Sequence, residues 1–309
     1  MSVSEILQKK LGPRLKLNEP LAPYVTFKIG GPAQYFYIPQ NNQELVQALK
    51  LADELKLKTF ILGGGSNLLI SDSGFTGFVI KPENRNFKIQ AEQVYAESGV
   101  LVVDLLAASL AADLTGWAWA AGLPGTVGGA IRGNAGAYGQ GMSDIVDWVE
   151  IYYQNKVQKY SNRQMQFSYR HSIVKEIPAV ILATQLSLKK GDIKKETEQV
   201  EAYNDRRQKT QPLELPNSGC IFKNIDFKEV TVDHERVRRG LDASQAEYQE
   251  ATKYNKLPVS FILDRLNLKG KKIGGAKAEH VVMLISDIKS QVRNKLGIQL
   301  EEEVQYVGF

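Results

Sequence analysis

Glycine is concentrated in one place. The stretch AAGLPGTVGGAIRGNAGAYGQG, residues 120–141, holds eight of the 26 glycines in a chain of 309 residues. Glycine gathers where backbone must approach a ligand closely or turn through positive φ, and successive free N–H groups in such loops make concave anion sites. A second run, Gly63-Gly64-Gly65, follows the short apolar segment TFIL and leads through Ser66 and Asn67 into another apolar segment. A tight turn explains a single glycine-rich loop. Two in one chain point to a large phosphate-bearing ligand, with a pyrophosphate-bridged dinucleotide the natural candidate. Two familiar phosphate patterns are absent: GGGSNL (63–68) lacks the third glycine of GxGxxG, and no GxxxxGK[ST] occurs.

The length suggests two or three domains, and 43% hydrophobic with 24% charged residues is a globular composition. No apolar run approaches the roughly 18 residues of a membrane helix, so no membrane insertion is expected. The opening MSVSEILQKKLG lacks the basic flank and apolar core of a secretory signal, which predicts a cytoplasmic protein. One cysteine and three scattered histidines give neither an internal disulfide nor a zinc-ligand spacing, so no metal is expected. The net charge of +5 is mild, and clusters such as ERVRRG (235–240) and LKGKKIGGAK (268–277) read as solvated faces. Aromatics do not interleave with arginines, so nucleic acid is not an expected partner.

YVTFKIGGPAQYFYIP (24–39) reads as two strands about a Gly-Gly-Pro turn, and NQELVQALKLADELKLK (42–58) as a helix with Leu45, Leu49, Ala52 and Leu55 on one face. Residues 81–100 suggest strands, and VVDLLAASLAADLTG (102–116) a helix buried on most faces. VDWVEIYYQNKVQKY (146–160) alternates and turns at Gln154-Asn155, a hairpin; 179–188 is another strand; 191–209 is a charged helix broken by TQPLELP. The last third reads as a helix at 258–266, a Lys- and Gly-rich loop, and a strand in EEEVQYVG. These elements predict an α+β chain; the TQPLELP break is the candidate domain boundary read from them, and the expected units are 1–80, 81–200 and 201–309.

The ordered set TFKIGGPA (26–33), LGGGSNLL (62–69), GLPGTVGGAIRGNAGAYG (122–139), SYRHSI (168–173), QPLELPNSGCIFKN (211–224), LNLKGKKIGGAKAEH (266–280) and LEEEVQYVG (300–308) resembles the UDP-N-acetylenolpyruvoylglucosamine reductases, across nearly the whole chain. The resemblance implies an FAD-binding fold of the vanillyl-alcohol-oxidase (PCMH) type, with two flavin-holding subdomains and a C-terminal α+β substrate-binding domain. It implies a flavoprotein oxidoreductase of peptidoglycan synthesis. NADPH reduces non-covalently held FAD, and a UDP-sugar enolpyruvyl ether then receives the hydride. QPLE and the overall length resemble the shorter subclass.

By the same resemblance, FAD is held from the first loop by Gly63, Gly64, Gly65, Ser66, Asn67 and Leu68. From the second it is held by Gly122, Pro124, Gly125, Thr126, Gly128, Gly129, Asn134, Gly136 and Ala137. Arg170 matches the catalytic arginine, and a guanidinium can grip a carboxylate through two parallel hydrogen bonds. Glu303 matches the catalytic glutamate through E-V-x-x-V-G, with Glu301 as second choice. Tyr138 matches a pocket tyrosine, Arg206 and Arg207 are diphosphate candidates, and Lys223 and Asn224 lie where they could reach the same pocket. Without the resemblance, each reads as an ordinary surface or loop residue.

Cys220 departs from the commoner pattern, since most relatives carry serine there as proton donor to the substrate α-carbon and some carry cysteine. A thiol, with a pKa of about 8.5, is a far stronger acid than a hydroxyl, but a nearby arginine favours thiolate and would disarm it. A second departure lies at 276–287, where the family's stretch is longer. Two other readings stand beside the reductase: a flavin oxidase of the same fold acting on another small substrate, and a catalytically silent flavin- or nucleotide-binding module.

Overall fold

The computed structural model describes residues 1–212, 214–268, 270 and 277–309. Helix α1 (Val3–Leu11) starts at Ser2 with a capping box: the Ser2 hydroxyl accepts the Glu5 N–H and the Glu5 carboxylate accepts that of Ser2. Strands β1 (Lys16–Pro20) and β2 (Pro32–Tyr37) pair antiparallel. After α2 (Asn42–Glu54) come β3 (Thr59–Ile61), β4 (Leu68–Ile70) and β5 (Phe75–Ile80). The sheet order is β1-β2-β5-β3, with β5 parallel to both neighbours. Helix α2 buries Leu45, Ala48, Leu49 and Ala52 against it.

The strand expected at 24–29 does not form. Lys28 sits at φ 56 and Gly30 at φ 142, which breaks extended geometry, and β2 already has two neighbours. Thr26 instead gives its N–H to the Gly65 carbonyl at 3.1 Å, while Phe27 and Ile29 pack on the third core. The segment drapes over the first glycine loop.

The second unit comprises β6 (Phe87–Gln90), β7 (Gln93–Glu97), α3 (Val102–Ala111), β8 (Leu114–Thr115) and α4 (Val127–Arg132). It continues through β9 (Gly136–Ala137), β10 (Gln140–Gly141), β11 (Val146–Tyr153), β12 (Lys156–Ser161), β13 (Val180–Ser187) and β14 (Lys189–Lys190). Its antiparallel sheet runs β12-β11-β13-β7-β6. The hairpin turns at Gln154 and Asn155, both at positive φ, as the primed turn of a two-residue hairpin requires. Helix α3 is buried on one face only, through Val102, Leu105, Leu106 and Ser109; Val103 is 41% exposed, so the expectation of burial on most faces is corrected.

Helix α5 (Ile193–Thr210) leans on this unit through one carboxylate. Glu196 Oε1 accepts the N–H groups of Gly116, Trp117 and Ala118 at 2.9, 3.0 and 2.7 Å, and Val200 and Tyr203 pack on the second core. A boundary at residue 200 therefore falls inside α5, and the far end of α5 carries Arg206 and Arg207 back to the glycine loops.

The third unit contains β15 (Ile225–Asp226), α6 (His234–Gly240), α7 (Gln245–Thr252), β16 (Lys256–Leu257), α8 (Val259–Arg265), α9 (Ala278–Leu296) and β17 (Gln305–Val307). The sequence reading found α8 and the final strand but not α6, α7 or α9. Helix α9 buries Ile285, Ile288, Val292 and Leu296, a helical spacing that was present to be read. It takes in most of the 276–287 departure; residues 269 and 271–276 of the basic loop lie outside the described residues.

Residues 301–307 join the units. On one side Glu303 N–H reaches Ile221 O at 2.7 Å, Lys223 N–H reaches Glu301 O at 2.9 Å, and Phe222 bridges Glu302. On the other, β17 pairs in parallel with β4, Gln305 against Leu68 through Val307 against Ile70.

The Glu196 anchor is directly testable. Glu196→Ala leaves three N–H groups without an acceptor and is expected to cost about 3 kcal/mol or more in thermal unfolding, with Glu196→Gln recovering most of it. Equal unfolding temperatures for the two variants would refute this.

Candidate active site

The loop between β3 and β4 presents five successive N–H groups, from Gly63 to Asn67, that donate to no protein acceptor among the described residues. Such a run is a nest for an anion. Gly64 packs directly on Gly125, where a Cβ would overlap the Gly125 Cα. Ser66 Oγ donates to Pro124 O at 3.2 Å, and a Cβ on Gly63 would come 2.9 Å from Thr126 Oγ1. Thr126 caps α4 by accepting the Gly129 N–H at 3.3 Å, and Gly128 lies against Ser98. The two glycine loops thus form one cradle because Gly64 and Gly125 carry no side chains where their backbones meet. Leu68 is buried at the start of β4.

Downstream, Gly136–Ala137 pairs with Gln140–Gly141 and reverses through Tyr138 and Gly139, both at positive φ. Asn134 ties this reversal to the next segment, donating to Ser168 O at 2.9 Å and accepting from Ser143 N at 3.0 Å. Ser168 and His171 close a second reversal, with Arg170 at φ 57 in the position that type II turns usually give to glycine or asparagine. Arg170 Nη1 donates to Gly136 O at 2.9 Å, and Nε lies 3.1 Å from Glu303 Oε1 as an ion pair without hydrogen-bond alignment.

Of the three successive acids, Glu303 is the one paired with Arg170. Glu301 pairs with Lys223 and Glu302 with Lys289, each at 2.5 Å. Glu303 is held by its own backbone: its carbonyl accepts Asn67 Nδ2 at 3.0 Å, while its N–H reaches Ile221 O.

Cys220 follows Gly219, which turns at φ 69, and is open to solvent. The surrounding protein and then the Glu303 charge push its thiol above the ordinary range, and Arg170 and Arg207 only partly counter them. The balance of these influences favours the protonated thiol over the thiolate that Arg170 alone would promote.

Besides Arg170 Nε and the indole N–H groups of Trp117 and Trp119 in the second core, three buried polar atoms among the described residues find no partner: Asn67 Oδ1, Arg207 Nε and Ser218 Oγ. They belong to the first glycine loop, the end of α5 and the Cys220 segment. Interiors leave few such groups unpaired, so these mark positions that a ligand or water completes. Arg207 packs over Gly122, and Tyr138 stacks on Tyr203 at 3.8 Å with Arg206 lying 5.7 Å from the Tyr138 ring. Asn224 is placed elsewhere: its Oδ1 accepts Val259 N–H at the start of α8, a structural contact, and it does not line the cavity.

That cavity, about 420 Å³, is lined by Arg132, Arg170, Lys175, Lys223 and the acids 301–303. Arg132 and Lys175 were not singled out from sequence. Arg132 Nη1 donates to Gln305 Oε1 at 2.6 Å and Lys175 Nζ to Arg170 O at 2.6 Å. Burial, then the Arg132 and Lys223 charges, press the Lys175 ammonium below the usual lysine range, against an opposing pull from Glu303. The signals available were Arg132 inside the glycine motif and Lys175 five residues beyond Arg170. Among the described residues no His, Cys, Asp and Glu cluster is arranged for a metal, and no helix is long and apolar enough to cross a membrane.

Comparison with known proteins gives a consistent result. Residues 33–155 match the family described as FAD binding domain. UDP-N-acetylenolpyruvoylglucosamine reductase of Caldanaerobacter subterraneus subsp. tengcongensis is 34% identical over 99% of both chains. The enzyme of that name from Pseudothermotoga lettingae is 36% identical over 94% of this chain and 97% of its own. The crystal structure of UDP-N-acetylenolpyruvylglucosamine reductase from Thermus caldophilus superposes with a TM-score of 0.71, at 22% identity, over 95% of this chain and 98% of that one. The α+β, flavin-binding fold expected from sequence is the fold observed.

Because Cys220 is the sole cysteine, iodoacetamide reports on it alone. The pH midpoint of its alkylation is expected above the ordinary value of about 8.5. Glu303→Gln removes a charge that disfavours thiolate, so it should lower the midpoint, and Arg170→Met should raise it. Shifts of the opposite sign would overturn this account of the electrostatics.

Proposed function

The chain belongs to the UDP-N-acetylenolpyruvoylglucosamine reductase family, and from that premise we propose that it reduces the enolpyruvyl ether of UDP-N-acetylglucosamine to UDP-N-acetylmuramate, using FAD and NADPH, in the cytoplasm. The observation that carries the reading is the convergence of Arg170, Glu303 and Cys220, which come from segments far apart in the chain.

The cradle fits FAD: free N–H groups at 63–67 suit a pyrophosphate, and the glycine contact with 122–129 leaves backbone open to it. FAD, when bound, supplies the hydride that NADPH provides. Arg170 engages the substrate carboxylate, and its loosely aligned pairing with Glu303 leaves Nε able to turn toward that group. Glu303 lies beside the same carboxylate, where it shares a proton or shapes the field. Cys220, kept neutral, donates its proton to the α-carbon. The thiolate left behind then lies in the field of Arg170 and Arg207, which stabilise it as it forms. Arg206, Arg207 and Lys223 serve the diphosphate and Tyr138 the pocket wall.

The test is anaerobic. NADPH should bleach the visible flavin band, and the enolpyruvyl substrate should restore it without oxygen; a band that stays bleached sinks the reading. Cys220→Ala should bleach like the wild type but lose about 10²-fold or more in the second step, with Cys220→Ser retaining a substantial rate. Equal turnover by the Ala variant and the wild type would remove Cys220 from the acid role.

A further inference from the structure

We propose that Lys175 is a positioning residue: its ammonium clamps the Arg170 carbonyl and so maintains the left-handed turn that aims the guanidinium. The proposal rests on the role given above to Arg170, and it extends to a residue outside the Arg170, Glu303 and Cys220 set.

Arg170 occupies φ 57 with a full side chain, a conformation that costs of order 1 kcal/mol and persists only where its surroundings impose it. Three contacts do so. Asn134 holds Ser168 O, Gly136 O accepts Arg170 Nη1, and Lys175 Nζ holds Arg170 O at 2.6 Å. Lys175 is the contact that grips the strained residue's own peptide. It is delivered from a rigid base: its turn, Ile173–Lys175, follows Ser172, which is fully buried and donates its hydroxyl to Arg132 O at 2.7 Å.

The surroundings exclude the ordinary explanation for a half-buried lysine. Among the described residues no carboxylate lies within ion-pair distance of Nζ; Glu303, the acid that acts on it, is paired with Arg170 instead. Its charged neighbours are mostly cations, Arg132, Lys223 and Arg170. A lysine held among like charges by a carbonyl is electrostatically unfavourable, and such local costs concentrate at functional sites. An ammonium has three donors and one goes to Arg170 O, so its remaining donors are available to the cavity it lines.

The test is a double-mutant cycle on the FAD-loaded protein, read by Cys220 alkylation and independent of turnover. Arg170 favours the thiolate, so displacing it raises the midpoint. Lys175→Met is expected to raise the alkylation midpoint as Arg170→Met does, and the double variant to go no further than Arg170→Met alone. No shift, or an additive shift from the lost lysine charge, overturns the proposal. In turnover, Lys175→Met should lower kcat for the substrate step about tenfold, with Lys175→Arg recovering part of it. A change confined to KM would also overturn it. If Lys175→Met does not fold, Lys175→Gln takes its place in the cycle. Should the enolpyruvyl substrate prove inert with the wild type, the alkylation cycle still decides the role of Lys175.

Discussion

The peptide groups of Glu303 hold the site together. Its N–H is given to Ile221, one residue past Cys220, and its carbonyl is taken by Asn67 at the end of the first glycine loop. The side chain between them meets Arg170. The segment carrying the thiol, the first glycine loop with its free N–H groups and the turn that carries the guanidinium are thus registered against one residue. Each hydrogen bond contributes only about 1 kcal/mol, so the join is a set of small terms acting on the same few atoms. The parallel pairing of β17 with β4 extends it.

The electrostatics of the cavity follow from that registration. Arg132, Arg170, Lys175 and Lys223 face the three acids at 301–303 across a small volume, and most of the pairs are mixed rather than isolated. Cys220 is on the edge of this field. The surrounding protein and Glu303 raise the pKa of its thiol, and Arg170 and Arg207 oppose them. In the proposed proton transfer, a thiol is a far stronger acid than a serine hydroxyl in the same position.

What was legible in the sequence is what is local. The hairpin at Gln154-Asn155 announces itself because its turn residues must take positive φ, and the glycine loops because side chains are excluded at their contact. Arg170, Glu303 and Cys220 were reached through motif resemblance, since nothing in their own neighbourhoods distinguishes them from surface residues. Long-range partners were invisible: Asn67 reads as a cradle residue, yet its amide binds a carbonyl 236 positions away. The segment 24–29 carries strand residues but is claimed by Gly65, and Asn224 by the start of α8. Helix α9 had the right spacing but opens at Lys277, without the Ser, Thr, Asp or Asn that usually marks a helix start in sequence.

Residues 301–307 are synthesised after both surfaces that they join. Until they emerge, β4, whose strand partner among the described residues is β17, has an open edge. Open strand edges are templates for pairing with other chains. A chain that stops short of Glu303 loses both bonds that register the glycine loop and the Cys220 segment, and leaves bare the edge of β4 that β17 covers.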